Sequence, residues 1–159
     1  MRIAIASDHA ALALKSALAN YLRAAGHDVA DLGPHDEASV DYPDYGYRLA
    51  NAIADGSAER GVALCGSGIG ISIAVNRNPA ARAALVSEPL SARLAREHND
   101  ANVIAMGARL IGIEMAKACI DAFLATGNCR TGAAEDGPPR PRHPRFDQER
   151  RGDARKRRR

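Results

Sequence analysis

The chain has 159 residues, 46% of them apolar, enough for one domain that buries about two thirds of the surface its unfolded form exposes. Its three cysteines, Cys65, Cys119 and Cys129, are odd in number and lack C-x-x-C spacing, which excludes a disulfide scaffold and sets the expectation of a reduced, cytoplasmic protein. The net charge of +3 is unevenly divided: residues 138–159 carry 10 of the 22 Lys and Arg and three of the 19 acids, leaving residues 1–137 with 12 basic against 16 acidic side chains.

The opening "MRIAIASDHA" is interrupted by Asp8 and His9, too short an apolar stretch for a signal peptide. No stretch approaches the roughly 18 uninterrupted apolar residues of a membrane helix. Within it "RIAIAS" (2–7) is an apolar run ended by polar residues, which predicts a buried strand. "AALALKSALANYLRAAG" (10–26) is rich in Ala and Leu, with Leu12, Leu18 and Leu22 among its apolar positions and Gly26 as a stop, and predicts a helix. "HDVADLG" (27–33) is a second strand, and "DYPDYGYRLANAIADG" (41–56), with a proline near its start, a second helix. "GVALC" (61–65) is a strand, and "GIGISIAVN" a glycine-rich loop running into a helix. "RAALVS" (82–87), "EPLSARLAREHN" (88–99), "ANVIAMG" (101–107) and "IEMAKACIDAFLATG" (113–127) continue the alternation as strand, helix, strand and helix. Five strands alternating with five helices predict an α/β protein: a three-layer Rossmann-like fold, its five-stranded parallel sheet covered by helices on both faces. Ligands in such sheets sit beyond the carboxyl ends of the strands. The segments arriving there are "SDH", "CGSG", "SEP" and "GAR".

Several readings compete at these positions. Gly66, Gly68 and Gly70 leave backbone N–H groups uncovered where a helix begins, an arrangement that binds phosphate or an oxyanion; a tight strand–helix turn uses the same glycines. A dinucleotide fingerprint fails at Ile71, where the third glycine should stand, and no Lys-Ser/Thr pair follows as in a P-loop. Cys65 reads either as a small buried hydrophobe or, beside a helix start, as a thiolate nucleophile or base. Asp8 and His9 form a carboxylate–imidazole pair, or Asp8 simply caps the next helix. His98 ends a helix, where the dipole alone is sufficient reason for it, and Arg109 could equally be a solvated charge. Metal-ligand spacings such as H-x-x-x-H and H-E-x-x-H are absent, so no metal is expected. A serine-hydrolase elbow is missing too.

The ordered motifs "SDHAA…LK", "DYPDY", "CGSGIGISIAVN" and "SEPLSARLAREHNDANVIAMGAR", with "IG" before the last helix, resemble ribose-5-phosphate isomerase type B of the ribose/galactose isomerase family. The resemblance spans roughly residues 1–127. It implies an aldose–ketose isomerase interconverting ribose 5-phosphate and ribulose 5-phosphate, by cofactor-independent proton transfer through an enediolate. Allose 6-phosphate, galactose 6-phosphate or a tetrose phosphate is the alternative substrate. Carried over position by position, Cys65 is the base that moves the proton, and the loop of Gly66, Ser67, Gly68, Ile69 and Gly70 holds the enediolate oxygen. His98 with Asp8 opens the furanose. His9 and Arg109 match phosphate ligands, and Tyr42 and Asn99 match sugar-contacting positions. The resemblance also implies a site shared between two subunits, with His98 and Asn99 supplied across the interface. A homodimer follows, alone or paired into a tetramer.

After Gly127 the pattern departs from the family. Four prolines within seven residues (Pro138, Pro139, Pro141, Pro144) forbid a continuing helix. The expected division is a sugar-phosphate isomerase domain over 1–137, a Pro/Arg-rich segment over 138–149 and a disordered basic tail over 150–159. In "PRPRHPRF", Arg142 and Arg145 are the candidates for the family's phosphate clamp, with Arg130 and Arg140 competing. The tail would give salt-sensitive affinity for nucleic acid, yet an acidic body with only 4% aromatic residues argues against that as the function.

Overall fold

The computed structural model describes residues 1–36 and 38–127. Cys129, Arg130, Arg140, Arg142, Arg145 and the segments 138–149 and 150–159 lie outside the described residues. The elements follow in the order β1 (Arg2–Ser7), α1 (Leu12–Ala24), β2 (Asp28–Asp31), α2 (Tyr42–Ala54), β3 (Arg60–Cys65), α3 (Ile69–Val75), β4 (Ala83–Leu85), α4 (Pro89–Asn99), β5 (Val103–Gly107) and α5 (Ile113–Ala125). Among the described residues the strands form one all-parallel sheet in the order β2-β1-β3-β5-β4. The Rossmann-like α/β expectation is borne out.

Period-two alternation along the strands sorts the helices onto two faces. Ile3, Ile5, Val62, Leu64, Ile104 and Met106 point to one face, where α1, α4 and α5 deliver Leu18, Leu22, Ala95, Ile120 and Phe123. Each fully buried Leu or Ile there contributes about 1.5–3 kcal/mol. Ala4, Ala6, Ala63, Cys65 and Ala105 point to the other, against Leu49 and Ala50 of α2 and Ile71 and Val75 of α3. That second face is built from small side chains, which lets its helices approach closely. Gly46 of α2 is an example: a Cβ there would stand 2.7 Å from Cβ of Ala74. The division follows from the right-handed crossover rule, since connections moving one way along the sheet must cross one face and those moving back must cross the other.

Two boundaries differ from expectation for local reasons. The helix expected from residue 10 starts as a tight 3-10 turn over His9–Ala11 before α1. β4 is shorter than the expected 82–87 because it is an edge strand paired only to β5. Just before it, the Arg82 N–H is claimed by the Asn102 side chain at 2.7 Å.

Candidate active site

The strand order reverses between β1 and β3: the chain leaves β1 toward β2 on one side and leaves β3 toward β4 on the other. At such a switch point the two following loops part and leave a crevice. A cleft of ≈570 Å³ opens there, lined by Asp8, His9, Tyr42, Cys65, Gly66, Ser67, Ile69, Gly70 and Arg109 together with Ala10 and Leu110. Nine of the residues singled out in the sequence are thus brought to one place by strand order alone.

Cys65 ends β3 and is 4% exposed. Its Sγ accepts the Gly68 N–H at 3.0 Å, a contact that a sulfur anion accepts more strongly than a thiol. The turn that makes this contact requires glycine. Gly68 has φ +78°, and a Cβ on it would lie 2.6 Å from Leu85 Cδ1 and 2.7 Å from the Met106 carbonyl carbon. Gly107 faces it with the same restriction, since a Cβ there would lie 2.7 Å from the carbonyl group of Ser67. The Ser67 hydroxyl accepts the Ile69 N–H at 3.2 Å, leaving its own proton to donate. Among the described residues the N–H groups of Gly66 and Ser67 have no acceptor. The β5 end is locked to this loop by Ala108 N–H to Cys65 C=O at 2.9 Å and Arg109 N–H to Gly66 C=O at 3.0 Å. That lock lays the Arg109 side chain alongside Gly66. Tyr42 opens α2, and its ring packs on Gly70 so closely that a Cβ there would meet it at 2.7 Å.

Asp8 follows β1 on the same face of the sheet as Cys65, and its N–H bonds Leu64 C=O at 3.1 Å. The carboxylate makes no capping bond, so the capping alternative is not realised. Asp8 is 8% exposed, and among the described residues its Oδ1 has no hydrogen-bond partner. An unpaired buried carboxylate oxygen costs free energy that a helix cap would not ask for. His9 is exposed, with Nδ1 3.3 Å from both the N–H and the C=O of Val40.

His98 and Asn99 are placed elsewhere. α4 runs antiparallel to the strands, so its carboxyl end returns to the amino edge of the sheet. There Asp100 (φ 51°) ends the helix, clamped by Arg82 Nη2 at 2.8 Å and Arg96 Nη1 at 3.2 Å. β5 separates that edge from the Cys65 end by about 13 Å. Neither His98 nor Asn99 lines the Cys65 cleft of its own chain. A second cleft, of ≈400 Å³, lies beside the first between the ends of β4 and β5, sharing Ser67, Ile69 and Leu110 with it. Its rim is apolar and exposed at Ile69, Leu85 and Leu110, with exposed Leu90 on the adjoining helix. Cys119 is fully buried in the core; that burial, and next the Glu88 carboxylate, push its thiol up to about 11. It is a packing residue.

Lys15, which closes the motif "SDHAA…LK", was given no role by the sequence. It is 1% exposed, and on α1 it shares the buried stripe of Leu18, Ala19 and Leu22. A cation at i, i+3, i+7 register with two core leucines was the available signal.

Comparison with known proteins places this geometry. A profile described as Ribose/Galactose Isomerase matches residues 3–136. Ribose-5-phosphate isomerase B of Escherichia coli is 43% identical over 123 residues, covering 77% of this chain and 83% of that protein. D-erythrulose-4-phosphate isomerase of Pectobacterium atrosepticum is 46% identical over 126 residues, covering 78% and 82%. The crystal structure of a ribose 5-phosphate isomerase from Thermotoga maritima superposes with a TM-score of 0.79 at 48% identity, covering 84% of this chain and 90% of that one.

Proposed function

Because this chain belongs to the ribose/galactose isomerase family, we propose that it interconverts ribose 5-phosphate and ribulose 5-phosphate, with Cys65 as the base. The observation that carries the reading is a thiol whose Sγ accepts a backbone N–H at 3.0 Å while opening on a cleft at the switch point of the sheet. In the forward direction the Cys65 thiolate removes the C2 proton of the open-chain aldose, and the electron pair moves onto the C1 carbonyl oxygen. The resulting enediolate is held by the Gly66–Gly70 backbone and the Ser67 hydroxyl; the O2 hydroxyl proton passes to O1, and as C2–O becomes the ketone carbonyl the sulfur returns the proton to C1. Removing one donor of this kind typically costs about 10²–10³ in rate. No redox partner is required, because the oxidation of C2 and the reduction of C1 are internal to the sugar.

Ring opening must precede this step for a furanose. Asp8 sits at the cleft with a free carboxylate oxygen, and the partner subunit's His98 completes the pair on this reading. His98 and Asn99 lie at the opposite edge of the sheet from their own Cys65, so they serve a site only in another copy. The exposed apolar rim of Ile69, Leu85, Leu90 and Leu110 supports a homodimer. His9 and Arg109 bind the phosphate, with Arg142 and Arg145 as the further candidates. Tyr42 and Asn99 contact the sugar. The isomerase domain spans 1–137. A reducing, cytoplasmic setting keeps Cys65 as the thiol that the chemistry needs. Among the described residues no helix is long and apolar enough to cross a membrane.

The 46% identity to a tetrose-phosphate isomerase favours one second reading, a four-carbon substrate. Measuring kcat/KM for four-, five- and six-carbon sugar phosphates, with Cys65→Ala as control, separates the two. Ribose 5-phosphate is expected to be preferred, and Cys65→Ala to bind it without turnover. Preference for another chain length refutes the substrate, and full turnover by Cys65→Ala refutes the mechanism.

A further inference from the structure

The ammonium of Lys15 lies 2.5 Å from Asp31 Oδ1 and 2.6 Å from the Pro34 carbonyl oxygen, in a place almost wholly closed to solvent. Stability alone gives no reason for it, since a buried ion pair exchanged for apolar side chains often leaves a protein as stable or more so. Its partners suggest another reason. Asp31 Oδ1 also accepts the Gly33 N–H at 2.9 Å, and the Gly33 carbonyl accepts the Ser7 N–H at 3.1 Å. Ser7 immediately precedes Asp8. Further along the same loop, Val40 holds the imidazole of His9 at Nδ1, which accepts the Val40 N–H in one tautomer and donates to the Val40 C=O in the other. The loop between β2 and α2 therefore touches His9 directly and the residue before Asp8, and Lys15 anchors its Gly33–Pro34 turn to α1.

We propose that Lys15 and Asp31 are positioning residues for catalysis: they act through the Gly33–Pro34 turn to hold Asp8 and His9 at the cleft. This rests on the reading that Asp8 serves ring opening while Cys65 serves proton transfer. Those two steps can be assayed apart. Ribose 5-phosphate is a furanose and needs opening. Ribulose 5-phosphate has its C5 oxygen esterified, cannot close a furanose, and enters the proton-transfer step directly. In deuterated water the thiolate removes a C1 proton from ribulose 5-phosphate, exchanges it with solvent and returns a deuteron, with no ring chemistry.

The experiment measures both rates for wild type, Lys15→Met and Asp31→Ala. In each variant, conversion of ribose 5-phosphate is expected to fall on the order of 10²-fold, the cost of a catalytic group displaced by about 1 Å. C1 deuterium exchange at saturating ribulose 5-phosphate is expected to stay close to wild type. The two rates come from one preparation, so a reduced folded fraction cancels in their ratio, and Asp31→Ala carries the test should Lys15→Met not fold. Both rates falling in proportion, or neither changing, overturns the positioning role while leaving the isomerase reading intact. A wild-type protein inert toward both sugars overturns the substrate reading, and this proposal with it.

Discussion

Gly68→Ala is the substitution to which the cleft should be most sensitive. The residue sits at φ +78°, ψ −18°, where an L side chain costs roughly 1–2 kcal/mol. The added methyl would also stand 2.7 Å from the Met106 carbonyl carbon and 3.0 Å from the Gly107 N. Leu85, the third neighbour at 2.6 Å, is half exposed and can rotate away. The two backbone atoms cannot, because β5 is hydrogen-bonded to β3 on one side and β4 on the other. Relief must come from the loop, which has to retreat by several tenths of an ångström. Overpacking of this kind adds about 1–3 kcal/mol, for a total destabilisation of about 2–5 kcal/mol and a Tm loss on the order of 10 °C in a chain of this size. The same retreat lifts the Gly68 N–H from Cys65 Sγ and disorders the donors beside it, so kcat should fall about 10²–10³-fold. Thermal unfolding and steady-state isomerisation measure the two effects. Gly127→Ala is the control, with nothing within 4 Å of its Cβ and an expected change within about 0.5 kcal/mol. A Gly68→Ala protein that keeps its Tm, or that turns over within a few-fold of wild type, would refute the reasoning.

The proposal of a site shared between two copies makes a complementation prediction. Cys65→Ala and His98→Asn should each be inactive alone, while dissociating and mixing them should restore roughly a quarter of wild-type activity, since half of randomly paired dimers carry one intact site. No recovery would show that His98 does not act across an interface. Glu88 makes a prediction about acid. The Ser91 hydroxyl and N–H, and then the Leu90 N–H, hold its carboxyl below the ordinary value of 4.5 against a raising effect of desolvation. A depressed carboxyl stabilises the fold above its unfolded value and stops doing so as pH falls through the folded one. Glu88→Gln should therefore melt below wild type at neutral pH, with the gap closing below about pH 4.5; a gap independent of pH would refute the assignment.

The apolar runs "RIAIAS" and "GVALC" were legible directly as strands. That Asp8 and Cys65 lie on the same side of the sheet came only with the pairing of β1 and β3. The glycines at 66, 68 and 70 marked a loop that leaves N–H groups free, although composition alone could not say that Sγ rather than a ligand accepts one of them. Lys15 was legible only as an anomaly on an apolar stripe; its meaning depends on Asp31 and Pro34, which are 16 and 19 residues away.

What the sequence by itself determined is local: which segments are strands and helices, which residues turn the chain, and which chemically useful side chains end each strand. What only the tertiary structure decided is which of those ends meet. Strand order is set by how crossovers pack and not by any single segment, and the order β2-β1-β3-β5-β4 opens the crevice between Asp8 and Cys65. The antiparallel run of α4 sends His98 to the far edge. That direction keeps a histidine on the second helix after the cysteine away from its own chain's cleft.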